Sequence, residues 1–291
     1  MNISTQAHTA LSAPNKSVDV DGRTIAYRTW GTGPDLVLCA RFRGIMDSWD
    51  PLFLDRLAMN FKVTIFDYSG LGHSTGEPSY ARKDLAKDVN DLVEALGLKK
   101  VVIGGWSIGG IAAMVFAASF PDKVSHVIAI ATMPPGLMVK PTEPIFLSTA
   151  MKSINTVDDE YILFFEPNSA RSRSLADASI ARIADRNEVT DYPTPAEVFI
   201  NSVMASSDPS TPFPDPNDTY SDFFKATSIP VLALSGDHDP MFPVENWYAL
   251  NNIWPTLFVA TWPESGHGPQ HQYPEMSAEL IASFVKHTPA S

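Results

Sequence analysis

The stretch Val101-Val102-Ile103-Gly104-Gly105-Trp106-Ser107-Ile108-Gly109-Gly110 decides how this chain is read. Its first half is a short apolar run of strand character, and its second half passes with no linker into Ile111-Ala112-Ala113-Met114-Val115-Phe116-Ala117-Ala118. That second run is apolar almost all round and stops before Pro121, which predicts a helix buried on most sides. A strand that turns at once into a helix forces the corner residue into a strained backbone, and glycines two places either side leave the two elements room to cross. Gly105 and Gly109 stand at those places around Ser107. Such a corner lifts the Ser107 hydroxyl above the carboxyl edge of a sheet. The Ile108 N–H, at a helix start, then points where negative charge would develop on an attacked carbonyl. An ordinary serine in a glycine-rich turn is the plain alternative, and the unbroken strand-corner-helix order favours the nucleophile.

Outward from this corner the chain alternates. Residues 17–30 read as a hairpin turning at Asp21-Gly22, a pair that supplies the positive φ values of a tight turn. Apolar runs at 35–39, 62–66, 100–104 and 123–131 then alternate with helical patterns, the signature of parallel crossover units. In 83–96, Leu85, Val89, Leu92, Val93 and Leu96 form one stripe with charges opposite and Gly97 as a stop. Strand signals pause between Pro134 and about Ser228, where helical stretches at 158–165, 173–184 and 195–205 are separated by proline-rich joints. They resume at 231–234 and 257–261, with helices at 244–251 and 274–287. The expected division is a flexible leader over 1–16, a core over 17–133 and 230–291, and a helical insertion over 134–229.

Composition limits the partners. At 291 residues, 44% hydrophobic and 19% charged, the chain belongs among folded globular proteins. A formal charge of −12 repels phosphate backbones and anionic lipid, so neither nucleic acid nor a membrane is expected as a partner. No run reaches the roughly 18 apolar residues that span a bilayer. The lone Cys39 lies in an apolar run and excludes an internal disulfide, which favours a reducing, cytoplasmic location. The His and acidic residues show no metal-ligand spacing, and no lysine follows the paired glycines as it would in a phosphate loop. Chemistry without metal or cofactor is expected.

A serine hydroxyl needs a base within hydrogen-bond reach, and that base needs a group to hold its tautomer. Two loops after later strand runs offer them. One is Gly236-Asp237-His238-Asp239-Pro240-Met241-Phe242-Pro243, and the other is Glu264-Ser265-Gly266-His267-Gly268. The interval between these loops admits one helix and one strand, which returns both to the edge that carries Ser107. Asp237 and Asp239 both stand as the orienting carboxylate, with a turn-stabilising role open to the other.

With these residues the chain resembles the α/β-hydrolase fold family from about residue 17 to the last helix. The resemblance implies a mostly parallel eight-stranded sheet flanked by helices, with a helical cap inserted after the sixth strand. Gly236, Asp239 and Pro243 look like the family's G-x-x-D-x-x-x-P loop, which implies Asp239 as the acid, and His267 looks like the family's base. The turn Asp67-Tyr68-Ser69-Gly70-Leu71-Gly72-His73-Ser74 is similar to D-x-R-G-x-G-x-S, with Ser69 where arginine is usual. A second departure is Ala40-Arg41-Phe42-Arg43-Gly44, where the family shows an H-G-x-P type loop. Aligned on Trp49, this loop implies the Phe42 N–H as a second oxyanion donor beside Ile108.

The expected activity is that of a cofactor-free serine hydrolase, an esterase acting on a carboxylic ester or lactone of a small apolar substrate through an acyl-enzyme. The catalytic residues expected are Ser107, Asp239 and His267, with Phe42 and Ile108 as oxyanion donors. Arg41 and Arg43 are candidates to hold a substrate carboxylate, against ion pairing with Asp47, Asp50 or Asp67. Trp106, with Phe164, Phe165 and Phe199, is a candidate pocket wall. His271 is expected to face solvent or the cap joint, and His238 to be an exposed loop residue. Carbon–carbon bond hydrolases, perhydrolases and acyltransferases share this motif set, and a slow-turnover ligand receptor of the same fold is the alternative of another class. The chain is expected to be a monomer or homodimer.

Overall fold

The computed structural model describes residues 8–136, 138–186 and 213–288. Eight strands form one sheet: β1 Lys16–Val20, β2 Arg23–Gly31, β3 Asp35–Cys39, β4 Lys62–Phe66, β5 Val101–Trp106, β6 Val124–Ile130, β7 Val231–Gly236 and β8 Leu257–Trp262. Their spatial order is β1-β2-β4-β3-β5-β6-β7-β8. Only β2 runs against its neighbours, pairing antiparallel with β1 and β4, and every later pair is parallel. The hairpin turns at Asp21 (φ 48°) and Gly22 (φ 78°), both in the left-handed region such a turn requires.

The sheet is covered on both faces, which is why β3 to β7 read as continuous apolar runs rather than alternating ones. One face packs on α2 (Arg82–Ala95) and α3 (Ile108–Ser119) through Val37, Ile103, Val89, Leu92 and Phe116. The other packs on α1 (Pro51–Ala58) and the last helix, Pro274–His287, through Leu38, Ile65, Phe53, Leu57 and Phe284. Helix α1 starts where Asp50 accepts from Leu52 N at 2.9 Å, with Pro51 as its first residue.

Between β6 and β7 stand α4 (Pro144–Ala150), α5 (Val157–Phe164) and α6 (Ala170–Ala184). Helix α4, seven residues opened by Pro144, was not expected from the sequence. The helix expected over 195–205, with Phe199 and Met204, lies outside the described residues. The helix expected over 244–251 contracts to Glu245–Tyr248.

The leader expected to be flexible over 1–16 is held down where it is described. Ala10 and Ala13 are buried, Ala10 N donates to Asp55 at 2.7 Å, and Arg186 donates to the carbonyls of Ala10, Leu11 and Ala13. An arginine closing a distant helix supplied this anchor, and local composition carries no trace of it. Among the described residues no helix is long and apolar enough to cross a membrane.

At Ser69 the departure from the family motif is filled from elsewhere. Arg23 of β2 donates to Ser69 Oγ at 2.7 Å and pairs with Asp88 and Asp91 of α2, while Ser69 N donates to Asp88 at 2.8 Å.

Candidate active site

Ser107 sits between the last residue of β5 and the first of α3 with φ 60° and ψ −124°, a backbone that L-residues rarely adopt. The flanking glycines explain how it is held. A Cβ on Gly105 would lie 2.1 Å from the Gly109 carbonyl oxygen, and one on Gly109 would lie 2.2 Å from that of Cys39. The start of α3 therefore rests backbone against backbone on the end of β3, next to the loop that carries Phe42. Ile108 N–H belongs to the first turn of α3, where donors have no acceptor within the helix.

The acid and base come from the two loops after β7 and β8. His267 Nδ1 lies 3.0 and 2.9 Å from the two carboxylate oxygens of Asp239, and His267 and Asp239 are only 1% and 2% exposed. Asp239 is fixed in turn by the N–H groups of Met241 (2.8 Å) and Phe242 (2.9 Å). Asp237 instead accepts from Ser265 N at 3.1 Å, so it ties the two loops together and does not touch the imidazole. Of the two carboxylates, Asp239 is the one in contact with the imidazole.

Trp106 connects the base to the serine corner. Its indole N–H donates to the His267 carbonyl at 2.6 Å, which pins the histidine loop to the residue before Ser107. Around the imidazole stand Phe146 of α4 edge-on at 5.2 Å, Phe242 at 5.5 Å and Phe164 of α5 stacked at 6.3 Å. Phe164 O also accepts from Gly268 N at 2.7 Å. The inserted helices thus pack against the same imidazole and its loop. Phe146 and Phe242 were missed in the sequence; Phe242 lies in the acid loop, and only that proximity could have flagged it. Among the described residues the Ser107 hydroxyl makes no hydrogen bond to its own helix or to His267.

Of the two positions expected for His271, solvent and the cap joint, solvent is excluded. The residue is buried against Trp106 (4.5 Å) and Trp49 (6.5 Å), accepts from Asp50 N at 3.3 Å, and burial pushes its pKa down to about 4. A ring held neutral with Nε2 occupied is a poor rival to His267 as base.

Among the described residues the acids weighed as arginine partners are taken up by other groups. Asp47 pairs with Arg28 and Arg186, Asp50 with Arg182 of α6, and Asp67 accepts from the N–H groups of Met46 and His73. Arg41 lies over the rings of Trp106 (5.2 Å) and Phe164 (4.6 Å) and donates to Phe42 O at 2.9 Å. Arg43, in the left-handed region at φ 58°, donates to the carbonyls of Lys152 and Ser153, both at 2.9 Å. Among the described residues no group of three or more His, Cys, Asp or Glu is placed to hold a metal ion.

A strained serine at a strand-to-helix corner, facing a histidine loop and an acid loop at the carboxyl edge of a parallel sheet, defines a class that comparison with known proteins bears out. Residues 36–274 match the model of the alpha/beta hydrolase fold family, and the chain belongs to that family. Its relatives include proteins named as ester hydrolases. Among its relatives, the pimeloyl-[acyl-carrier protein] methyl ester esterase of Vibrio campbellii is 26% identical, covering 84% of this chain and 91% of that protein. The enzyme of the same name from Pectobacterium carotovorum is 22% identical over 90% and 99%. An alpha/beta hydrolase fold protein from Chitinophaga pinensis superposes with a TM-score of 0.83 at 25% identity, covering 96% of this chain and all of that one.

Proposed function

We propose that the chain cleaves a carboxylic ester or lactone of a small substrate through an acyl-enzyme on Ser107. The observation that carries this reading is the pair of 2.9 and 3.0 Å contacts between Asp239 and His267, on a loop that Trp106 ties to a serine held at φ 60°. Asp239 accepts from Nδ1–H, so Nε2 carries the lone pair that takes the Ser107 proton as the hydroxyl attacks the carbonyl. Negative charge then develops on the carbonyl oxygen, against the N–H groups of Ile108 and Phe42. The imidazolium returns its proton to the leaving alcohol, and water repeats the sequence to release the acid. The Ser107–His267 bond closes in the substrate complex, since such contacts are commonly loose in resting enzymes. The aromatic surfaces of Phe146, Phe164 and Phe242 support an apolar acyl or alcohol group, and the inserted helices act as the cap that shapes its space.

The test is hydrolysis of short p-nitrophenyl esters with fluorophosphonate labelling. Ser107→Ala abolishes both. Asp239→Asn lowers kcat by about 10⁴-fold through the wrong imidazole tautomer, whereas Asp237→Asn retains activity within about tenfold, since it loses only a loop contact. Equal losses in the two aspartate variants would overturn the assignment of the acid.

A further inference from the structure

Resting on the serine-esterase reading above, we infer that Arg41 is the specificity determinant of this site and receives a carboxylate carried by the substrate on a short chain beyond the scissile ester. Arg41 stands one residue before Phe42, in the loop that packs against the start of α3. Its guanidinium is enclosed by Trp106, the neighbour of Ser107, and by Phe164, which also stacks on His267. The charge therefore lies within the aromatic box that surrounds the base. Arg41 is half-buried, and a guanidinium so enclosed ordinarily meets a carboxylate. This one does not: a single donor reaches Phe42 O, Nε is enclosed and unbonded, and Asp47, Asp50 and Asp67 are committed to other partners. The planar fork is thus left with donor capacity that no carboxylate among the described residues takes up, and a guanidinium suits a carboxylate bidentately.

Two other charges bear on the group. Glu160 of α5 and Arg43 act on Arg41 through space, and among the described residues neither hydrogen-bonds to it. Glu160 is itself largely buried, which raises its pKa. Glu160 offsets part of the Arg41 charge through space and opposes an incoming anion. Since Phe42 adjoins Arg41, the carboxylate recognised lies a few atoms from the carbonyl under attack. Half-esters of short dicarboxylic acids have this form.

The experiment measures kcat/KM for monomethyl succinate, glutarate and adipate, each against its neutral terminal amide of the same shape, in wild type, Arg41→Met, Arg41→Lys and Glu160→Gln. Wild type favours at least one acid over its amide by about tenfold or more, the size of a charge-assisted hydrogen bond. Arg41→Met loses that ratio, Arg41→Lys keeps part of it, and Glu160→Gln, distant from the oxyanion loop in sequence, increases it through a lower KM for the acid. Hydrolysis of a neutral p-nitrophenyl ester that disappears in Ser107→Ala reports on the esterase reading separately. If wild type hydrolyses that ester yet shows no acid preference at any length, or if Arg41→Met retains the preference, Arg41 serves only to hold the loop and the inference is overturned.

Discussion

At the scale of single residues, Trp106 explains more of the site than its position in a buried strand suggests. Its 2.6 Å bond to the His267 carbonyl joins the corner residue's neighbour to the base's own backbone. Trp106→Phe keeps the ring and removes this donor, leaving a buried carbonyl unpaired at a cost of about 1–3 kcal/mol. Denaturant titration reads the loss of stability. Because the histidine loop loosens while the cleft wall remains, kcat falls further than KM rises; a change confined to KM would make Trp106 a substrate contact instead. The serine corner and the two loops that carry Asp239 and His267 were legible in the sequence because each follows local rules, a strained corner in one case and loops after strands in the others. His271 was not legible. Nothing in Gly268-Pro269-Gln270-His271 reports that Trp49 and Trp106, from remote parts of the chain, close over that ring.

At the scale of elements, the inserted helices are fastened to the two catalytic loops. Glu143 N, before α4, donates to Pro240 O at 2.7 Å, and Thr142 Oγ1 donates to Met241 O at 2.8 Å. His238 stands between the two loop aspartates and meets Glu166, just after α5, and Glu143 at 3.3 Å. The Glu166 carboxylate raises the His238 pKa above its ordinary value. A raised histidine contributes its stabilisation fully below the unfolded value and loses it as pH rises through the folded one. Hydrogen exchange in α4 and α5 is therefore slower at pH 6 than at pH 8.5 once intrinsic rates are removed, and His238→Gln erases the difference. Equal protection at both pH values in wild type would show that the latch carries no charge. The helix pattern predicted α5 and α6 to within a few residues; which loops they grip depends on side chains that carry no periodicity.

At the scale of the whole molecule, two buried groups oppose each other in their response to acid. His271 titrates near 4 when folded against 6.5 unfolded, so the unfolded chain binds its proton first and stability falls as pH drops from 6.5 toward 4. Asp67 is pushed up to about 6 from 3.8 by burial, so the folded chain holds that proton longer and stability falls as pH rises across nearly the same window. Each amounts to about 3 kcal/mol at 1.36 kcal/mol per unit, and the two contributions largely cancel in the wild type. In chemical denaturation from pH 4 to pH 7, the stability of wild type minus that of His271→Gln rises with pH. Wild type minus Asp67→Asn falls. Two flat difference curves would remove both assignments.

The sequence by itself determined the alternation of strands and helices, the serine corner and the two loops that answer it, because periodicity, glycine placement and strand-end position act over a few neighbouring residues. Only the tertiary structure decided which aspartate meets the imidazole, that Arg41 stacks on aromatics while nearby acids pair elsewhere, and that the described leader is anchored by Arg186. Those outcomes are set by which groups compete for one partner in space, and hydrogen bonds and desolvation choose among candidates that the linear order leaves equivalent.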